Sequence, residues 1–241
     1  MRPNDLYIST ITLARSDQEA ELLETSLKAL ALLQVPIAVS DGGSPKAVVD
    51  FLSRIPGVSL VSSMARGLVP QVKASVRAAL TSGRKFILYT EPDKQRFFEN
   101  GLVEFLRRAP DTDDVGLVIA ARTEASLSTF PSLQQLTERA INQLTGQVVG
   151  QKGDYSYGPF VMHRKLAALV EQLPDSIGWG WRHALFALAQ QDKFKVVLAQ
   201  GDFSCPSAQR DEQAQDKDRR MKQLDQNIEG LLTAVKTPFH A

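Results

Sequence analysis

The stretch Phe86-Ile87-Leu88-Tyr89-Thr90-Glu91-Pro92-Asp93 decides how this chain is read. An unbroken apolar run bounded by a turn signal reads as a strand buried on both faces. This one stops at two carboxylates two residues apart. Glu91 and Asp93 so placed suit a hard divalent cation, Mg²⁺ or Mn²⁺, because such ions take oxygen ligands and are often held by one or two carboxylates plus substrate phosphates. Pro92 fixes its own φ and keeps Glu91 extended, so the turn is stiff. An isolated acidic pair has a plainer reading, an acidic loop ahead of a helix that favours acid in its first turn. The pattern on either side decides between the two.

Upstream, strand and helix signals alternate. Residues 6–13 are rich in Ile and Thr and read as the first strand. Ser16-Asp17-Gln18-Glu19 is a capping box, and residues 20–33 carry leucines at helical spacing. Residues 35–40 form a second apolar run. Asp41-Gly42-Gly43-Ser44-Pro45 then predicts a glycine turn, a Ser44 N-cap and proline at the first helical position. Residues 58–61 predict a third strand, and residues 70–81 a helix with Val72, Val76, Ala79 and Leu80 inward. Such alternation predicts βαβ units in a largely parallel sheet flanked by helices, an α/β fold. In such sheets ligands bind at the carboxyl ends of the strands. Asp41, the 62–67 loop, and Glu91 with Asp93 all fall at those ends, which is the argument that the acidic pair is functional.

The second half is less regular. It predicts helices over 102–107, 133–144, 164–173 and 181–191, and strands over 115–121 and 194–199. A Gly/Tyr-rich loop, 153–160, leads to a short strand ending near His163. Residues 208–235 predict one charged helix, with the mixed charges of 210–222 on a solvated face.

Composition narrows the function classes. The 241 residues are 43% hydrophobic, enough for one real core. Lys+Arg 28 against Asp+Glu 27 leaves no bulk field calling for nucleic acid or an acidic membrane. The one cysteine, Cys205, excludes an internal disulfide and a multi-cysteine metal site, and the three histidines (His163, His183, His240) form no H-E-x-x-H. There is no membrane-length apolar stretch and no signal-peptide core after Met1, so the expectation is a soluble, cytoplasmic protein. G-x-G-x-x-G after the first strand, a Walker loop and a G-x-S-x-G elbow are all missing.

With these residues in hand the chain resembles a family. Ile8-Ser9-Thr10-Ile11-Thr12, Ser40-Asp41-Gly42-Gly43-Ser44 and Glu91-Pro92-Asp93 resemble the GT-A glycosyltransferases, and within them the family-2-like group with its D-D-G-S and D-x-D signatures. Asp154 with Gly158-Pro159-Phe160 and His163-Arg164-Lys165 is similar to that group's mid-chain glycine loop. Gly178-Trp179-Gly180-Trp181 is similar to its Gly/Trp stretch. The resemblance covers roughly residues 5–205. It implies a single GT-A, Rossmann-like domain, with a nucleotide-sugar half at 1–93, an acceptor half at 94–207 and a C-terminal helix at 208–241. It implies a nucleoside diphosphate sugar as donor, a small-molecule or lipid-linked hydroxyl as acceptor, and a divalent cation; it also admits a homodimer.

The resemblance distributes roles. Asp41 would meet the nucleotide base or ribose, the alternative being an Asx-type turn cap. Arg66 and Lys73 would hold base or diphosphate, though a solvated lysine fits Lys73 as well. Asp93 would ligate the metal, and Glu91 would reach it, or the ribose, through water. Thr10, Arg122 and Gly158 would line the substrate pocket. Trp179 and Trp181, spaced by glycines, would offer aromatic faces to a sugar, the alternative being core packing. Arg182 departs from the family, which often has acid there. An inverting transferase needs a carboxylate base for the acceptor hydroxyl, and Asp154, Asp175 and His183 are the substitutes on offer. A retaining mechanism needs none. Arg182 would instead hold an anionic group of the acceptor. The alternative from another class is a GT-A-like protein that binds a sugar nucleotide, or a partner, without catalysis.

Overall fold

Each strand grows from an apolar run that ends at a turn residue. In the computed structural model, which describes residues 1–63, 65–211 and 216–236, seven strands form one sheet. They are β1 (Leu6–Thr12), β2 (Ile37–Asp41), β3 (Val58–Val61), β4 (Phe86–Tyr89), β5 (Val115–Arg122), β6 (Phe160–His163) and β7 (Lys195–Gly201). Their order is β3-β2-β1-β4-β6-β5-β7. β6 runs antiparallel to β4 and β5, and every other pairing is parallel.

The helices are α1 (Asp17–Ala31), α2 (Lys46–Leu52), α3 (Leu68–Thr81), α4 (Gln95–Asn100), α5 (Leu102–Arg108), α6 (Glu124–Leu127), α7 (Ser132–Val149), α8 (Arg164–Ala167), α9 (Trp181–Gln191) and α10 (Asp216–Lys236). At the start of α1 the Glu19 amide donates to Ser16 Oγ at 3.2 Å. The Glu19 carboxylate accepts the Arg15 amide at 2.5 Å, so the box closes one residue earlier than its usual form. Three details differ from the sequence reading. The helix expected over 164–173 is α-helical only to Ala167, and Ala168–Gln172 continue it as a 3₁₀ segment. α2 starts at Lys46 with Pro45 flanking it, because the Ser44 hydroxyl is spent on Asp41 rather than on a helix amide. Residues 207–209 form a short 3₁₀ turn, not the first turn of α10, and residues 212–215 of the expected helix lie outside the described residues.

Side chains alternate across the sheet, as strand geometry demands. Leu6, Ile8, Phe86 and Leu88 pack with Leu27 and Phe105 on one face. Ile87, Tyr89, Leu117 and Ile119 pack with Val72, Trp181 and Leu185 on the other. The sheet is therefore the middle of three layers. The same alternation carries Glu91 onto the face of Ile87 and Tyr89, the face that α9 covers. Because β6 alone is reversed, the 150–159 loop must cross the carboxyl edge of the sheet before β6 enters between β4 and β5. That crossing brings Gly158 to Glu91.

Candidate functional site

The carboxyl edge collects the sequence candidates. Thr12 pairs in register with Asp41, and the Thr90 amide donates to Ser9 O at 3.2 Å, so β1, β2 and β4 end together. Asp41 is the hub of a closed turn. Its Oδ1 accepts the Gly43 and Ser44 amides at 2.9 and 2.7 Å, and its Oδ2 accepts the Thr12 and Ser44 hydroxyls at 2.8 and 2.6 Å. Four donors fill a carboxylate's lone-pair sites. Gly43 takes φ 110°, which the turn requires and a side chain would resist. Arg66 is exposed in the loop after β3. Lys73 reaches from α3 to Asp175 at 2.6 Å, an ion pair to the short 3₁₀ segment Asp175–Gly180. Lys73 and Asp175 are thus partners of each other.

Glu91 and Arg182 form a buried ion pair. Arg182 Nη1 donates to Glu91 Oε1 at 2.6 Å, with side chains 4% and 10% exposed. The guanidinium also lies over the Trp179 ring, 5.3 Å from its centroid. A Cβ on Gly158, which has φ 125°, would sit 2.0 Å from Glu91 Oε2; only glycine lets the carboxylate lie there. Two expectations are narrowed here. Arg182 spends Nη1 on Glu91, while its Nε has no partner among the described residues. Glu91 spends Oε1 on that pair, and its buried Oε2 likewise has none.

One of the two tryptophans is corrected as well. Trp181 is fully buried, edge-on to Tyr89 at 4.7 Å, so it is core and offers no face to a sugar. Trp179 is half-buried and stacks on Arg182. The room left by the glycines is filled by α10. A Cβ on Gly180 would lie 1.9 Å from Gln226 O, and one on Gly230 would lie 2.0 Å from Gly180 O. The Gln226 side chain accepts the Trp179 amide at 3.2 Å.

The two candidate bases are also built in. Asp154 accepts the Arg122 amide and Nε at 2.9 and 2.7 Å on Oδ2, and Arg122 Nη2, Asn142 Nδ2 and the Ser156 amide on Oδ1. Burial works to raise its pKa, but Arg122 outweighs burial and holds it below the ordinary carboxylate value. A saturated, weakly basic carboxylate is a poor proton acceptor. His183 is fully buried, with Nδ1 2.8 Å from Thr145 Oγ1. Burial first, and Arg182 second, push it down to about 3, so it is a weak base enclosed in the core. Arg122 itself ends β5 and grips Glu138 through Nη2 at 2.6 Å besides Asp154. Burial opposes its charge, yet Glu138 and Asp154 hold its pKa above the ordinary arginine value.

Asp93 alone of the acidic pair is exposed, with Lys94 Nζ at 3.2 Å. Among the described residues no three His, Cys, Asp or Glu side chains converge as a metal site. Asp93 nevertheless fits a cation whose remaining ligands are phosphates and water; Glu91 is buried and has Oε1 committed to Arg182. Thr10 is wholly buried, and its hydroxyl has no partner among the described residues. The same is true of Tyr89 Oη, Glu91 Oε2, Trp181 Nε1, Arg182 Nε and His183 Nε2. Polar atoms buried this way are paired by water or ligand in most proteins.

Comparison with solved structures bears on this edge. Glucosyl-3-phosphoglycerate synthase from Mycobacterium tuberculosis, in complex with Mn²⁺, uridine-diphosphate-glucose and phosphoglyceric acid, superposes with a TM-score of 0.65. The match has 16% identity and covers 97% of this chain and 81% of that one. A second structure of that synthase gives 0.61 at 18% identity, over 97% and 82%. The fold is GT-A. No protein-family model matches the chain, and no curated protein is similar to it in sequence.

On this GT-A frame several residues went unforeseen. Tyr157 stacks on Phe203 at 5.0 Å beneath Lys94. Glu138 joins Arg122 to Arg220 of α10, and Arg220 also donates to Gln134 at 2.5 Å. Arg220, read as part of a solvated face, is half-buried instead. A glutamate on an amphipathic helix and an arginine in a charge run carry no local signal of partners so distant in sequence.

Proposed function

We propose that this chain is a glycosyltransferase that moves a sugar from a nucleoside diphosphate sugar to a hydroxyl acceptor. The observation that carries the reading is the carboxyl edge of the GT-A sheet, where the Asp41 turn, Asp93 and the Gly158 crossing meet. In this reading residues 1–93 bind the nucleotide, residues 94–207 the acceptor, and the protein acts in the cytoplasm. Arg66 contacts the nucleoside beside the turn that Asp41 holds closed, and Asp93 holds Mg²⁺ or Mn²⁺. The ion, when bound, supplies charge neutralisation on the departing diphosphate. Arg182 neutralises Glu91 and so sets the charge of the pocket floor. With Asp154 saturated and His183 fully buried, the retaining course, which asks for no carboxylate base, suits the site better. The synthases of like fold were solved with uridine diphosphate and Mn²⁺, so UDP-sugars are the first donors to try.

A second reading is favoured by the Glu91–Arg182 pair: a GT-A protein that binds a sugar nucleotide without turning it over. Incubation with UDP-, GDP- and ADP-glucose separates the two. Release of free nucleotide establishes the enzyme. Saturable binding with no release in the presence of any hydroxyl acceptor establishes the binder.

A further inference from the structure

Beside the site, at the ends of β5 and β7, lies an open cavity of about 930 Å³ between α6, α7 and the 150–154 segment. Ligand pockets commonly measure ~300–1,000 Å³, so a disaccharide-sized molecule has room. Its wall is unusual in what is free and what is spent. Four glutamines line it: Gln143 and Gln147 on one face of α7, Gln151 just beyond that helix, and Gln200 on β7. All four are exposed, and their side-chain amides make no hydrogen bond among the described residues. The charges are committed. Arg122 is gripped by Asp154 and Glu138. Arg139 is paired through both terminal nitrogens with Glu124. Lys152 at the rim is the cation left over.

This is poor chemistry for an anion. A phosphate or carboxylate entering here finds two arginines already neutralised and meets the carboxylates of Glu124 and Asp154. Freeing Arg122 would strand the buried carboxylate of Asp154, which is costly. The same wall suits hydroxyl groups. Each amide offers a donor and an acceptor, and each sugar hydroxyl is both as well. We infer that the cavity is a cleft for a neutral, polyhydroxylated ligand, a mono- or oligosaccharide. On the transferase reading, on which its role as acceptor rests, the enzyme extends a sugar rather than a phosphorylated acid.

The test is direct binding, followed by saturation-transfer NMR and calorimetry, with maltose, trehalose and phosphoglyceric acid as probes and UDP with Mn²⁺ in parallel. The wild type is compared with the double variant Gln143→Ala/Gln147→Ala, whose exposed side chains make no hydrogen bond among the described residues. One disaccharide at least should bind, and the double variant should weaken it about tenfold, two uncompensated hydrogen bonds being at stake. Phosphoglyceric acid should not bind, and UDP affinity should be unchanged. Tighter binding of phosphoglyceric acid than of either sugar overturns the inference. So does a sugar bound equally by both proteins, or no sugar binding at all. Failure of UDP to bind, with the sugar result intact, counts against the transferase reading and leaves the cleft standing.

Discussion

Removing Arg182 should be among the most damaging single changes at the carboxyl edge. In Arg182→Met the 2.6 Å contact to Glu91 Oε1 is lost while Glu91, its side chain 10% exposed, stays buried. An uncompensated buried charge of this kind costs about 3–5 kcal/mol. The stacking of the guanidinium on Trp179 goes too, worth roughly 0.5–2 kcal/mol. At about 2–4 °C per kcal/mol for a chain of this size, the pair alone predicts a fall of roughly 6–20 °C in melting temperature. Glu91→Gln keeps a hydrogen bond from Arg182 but strands the guanidinium, 4% exposed, without a counter-ion, so it should cost a similar amount. The double variant Arg182→Met/Glu91→Gln should recover much of the loss, since no carboxylate is left unpaired. Urea unfolding of all four proteins closes the cycle and measures the coupling. An unchanged midpoint in Arg182→Met would refute the reasoning. A double variant no more stable than Arg182→Met would show that packing, not charge pairing, dominates.

Two more outcomes follow from the same geometry. Gly180→Ala should destabilise the protein by about 1–3 kcal/mol, as overpacking does, because its Cβ would stand 1.9 Å from the backbone of Gln226; denaturation at the wild-type midpoint would contradict the close glycine–glycine crossing. His183 is held at about 3, below its ordinary 6.5, so the unfolded chain takes up a proton that the fold refuses. The stability from keeping it neutral is complete above pH 6.5 and drains away as pH falls toward about 3. This one group then contributes a slope of up to ~1.4 kcal/mol per pH unit. His163 and Asp154, also lowered, act in the same direction, so the check is the difference in slope between wild type and His183→Asn over that window. Parallel curves would remove His183 from the account.

Much of the frame was legible in the chain. The alternation of apolar runs with capped helices placed β1 to β4 and α1 to α3 within about three residues, because each element buries its own periodic face. Asp41 and Asp93 could be put on one edge from strand ends alone. Partnerships across the fold were not legible. Arg182 meets Glu91 from 91 positions away, and no local pattern distinguishes a paired arginine from a free one. Trp181 looked accessible because glycines flank it, yet those glycines admit α10, not a ligand. Asp154 and His183 looked like candidate bases by residue type. The saturation of Asp154 by Arg122 and Asn142, and the burial of His183 against Thr145, depend on how α7 lies against the 150–159 loop, which only the tertiary structure specifies.

The central claim, a sugar-nucleotide site at this edge organised on Asp93, is tested most directly by the affinity of UDP for the wild type and for Asp93→Ala, with Mn²⁺ and with chelator. The account predicts Mn²⁺-dependent binding in the wild type. It predicts at least a tenfold loss in Asp93→Ala, whose exposed side chain leaves stability within about 0.5 kcal/mol. Equal affinity in the two proteins at every Mn²⁺ concentration, or no binding of UDP, GDP or ADP by the wild type, would contradict it.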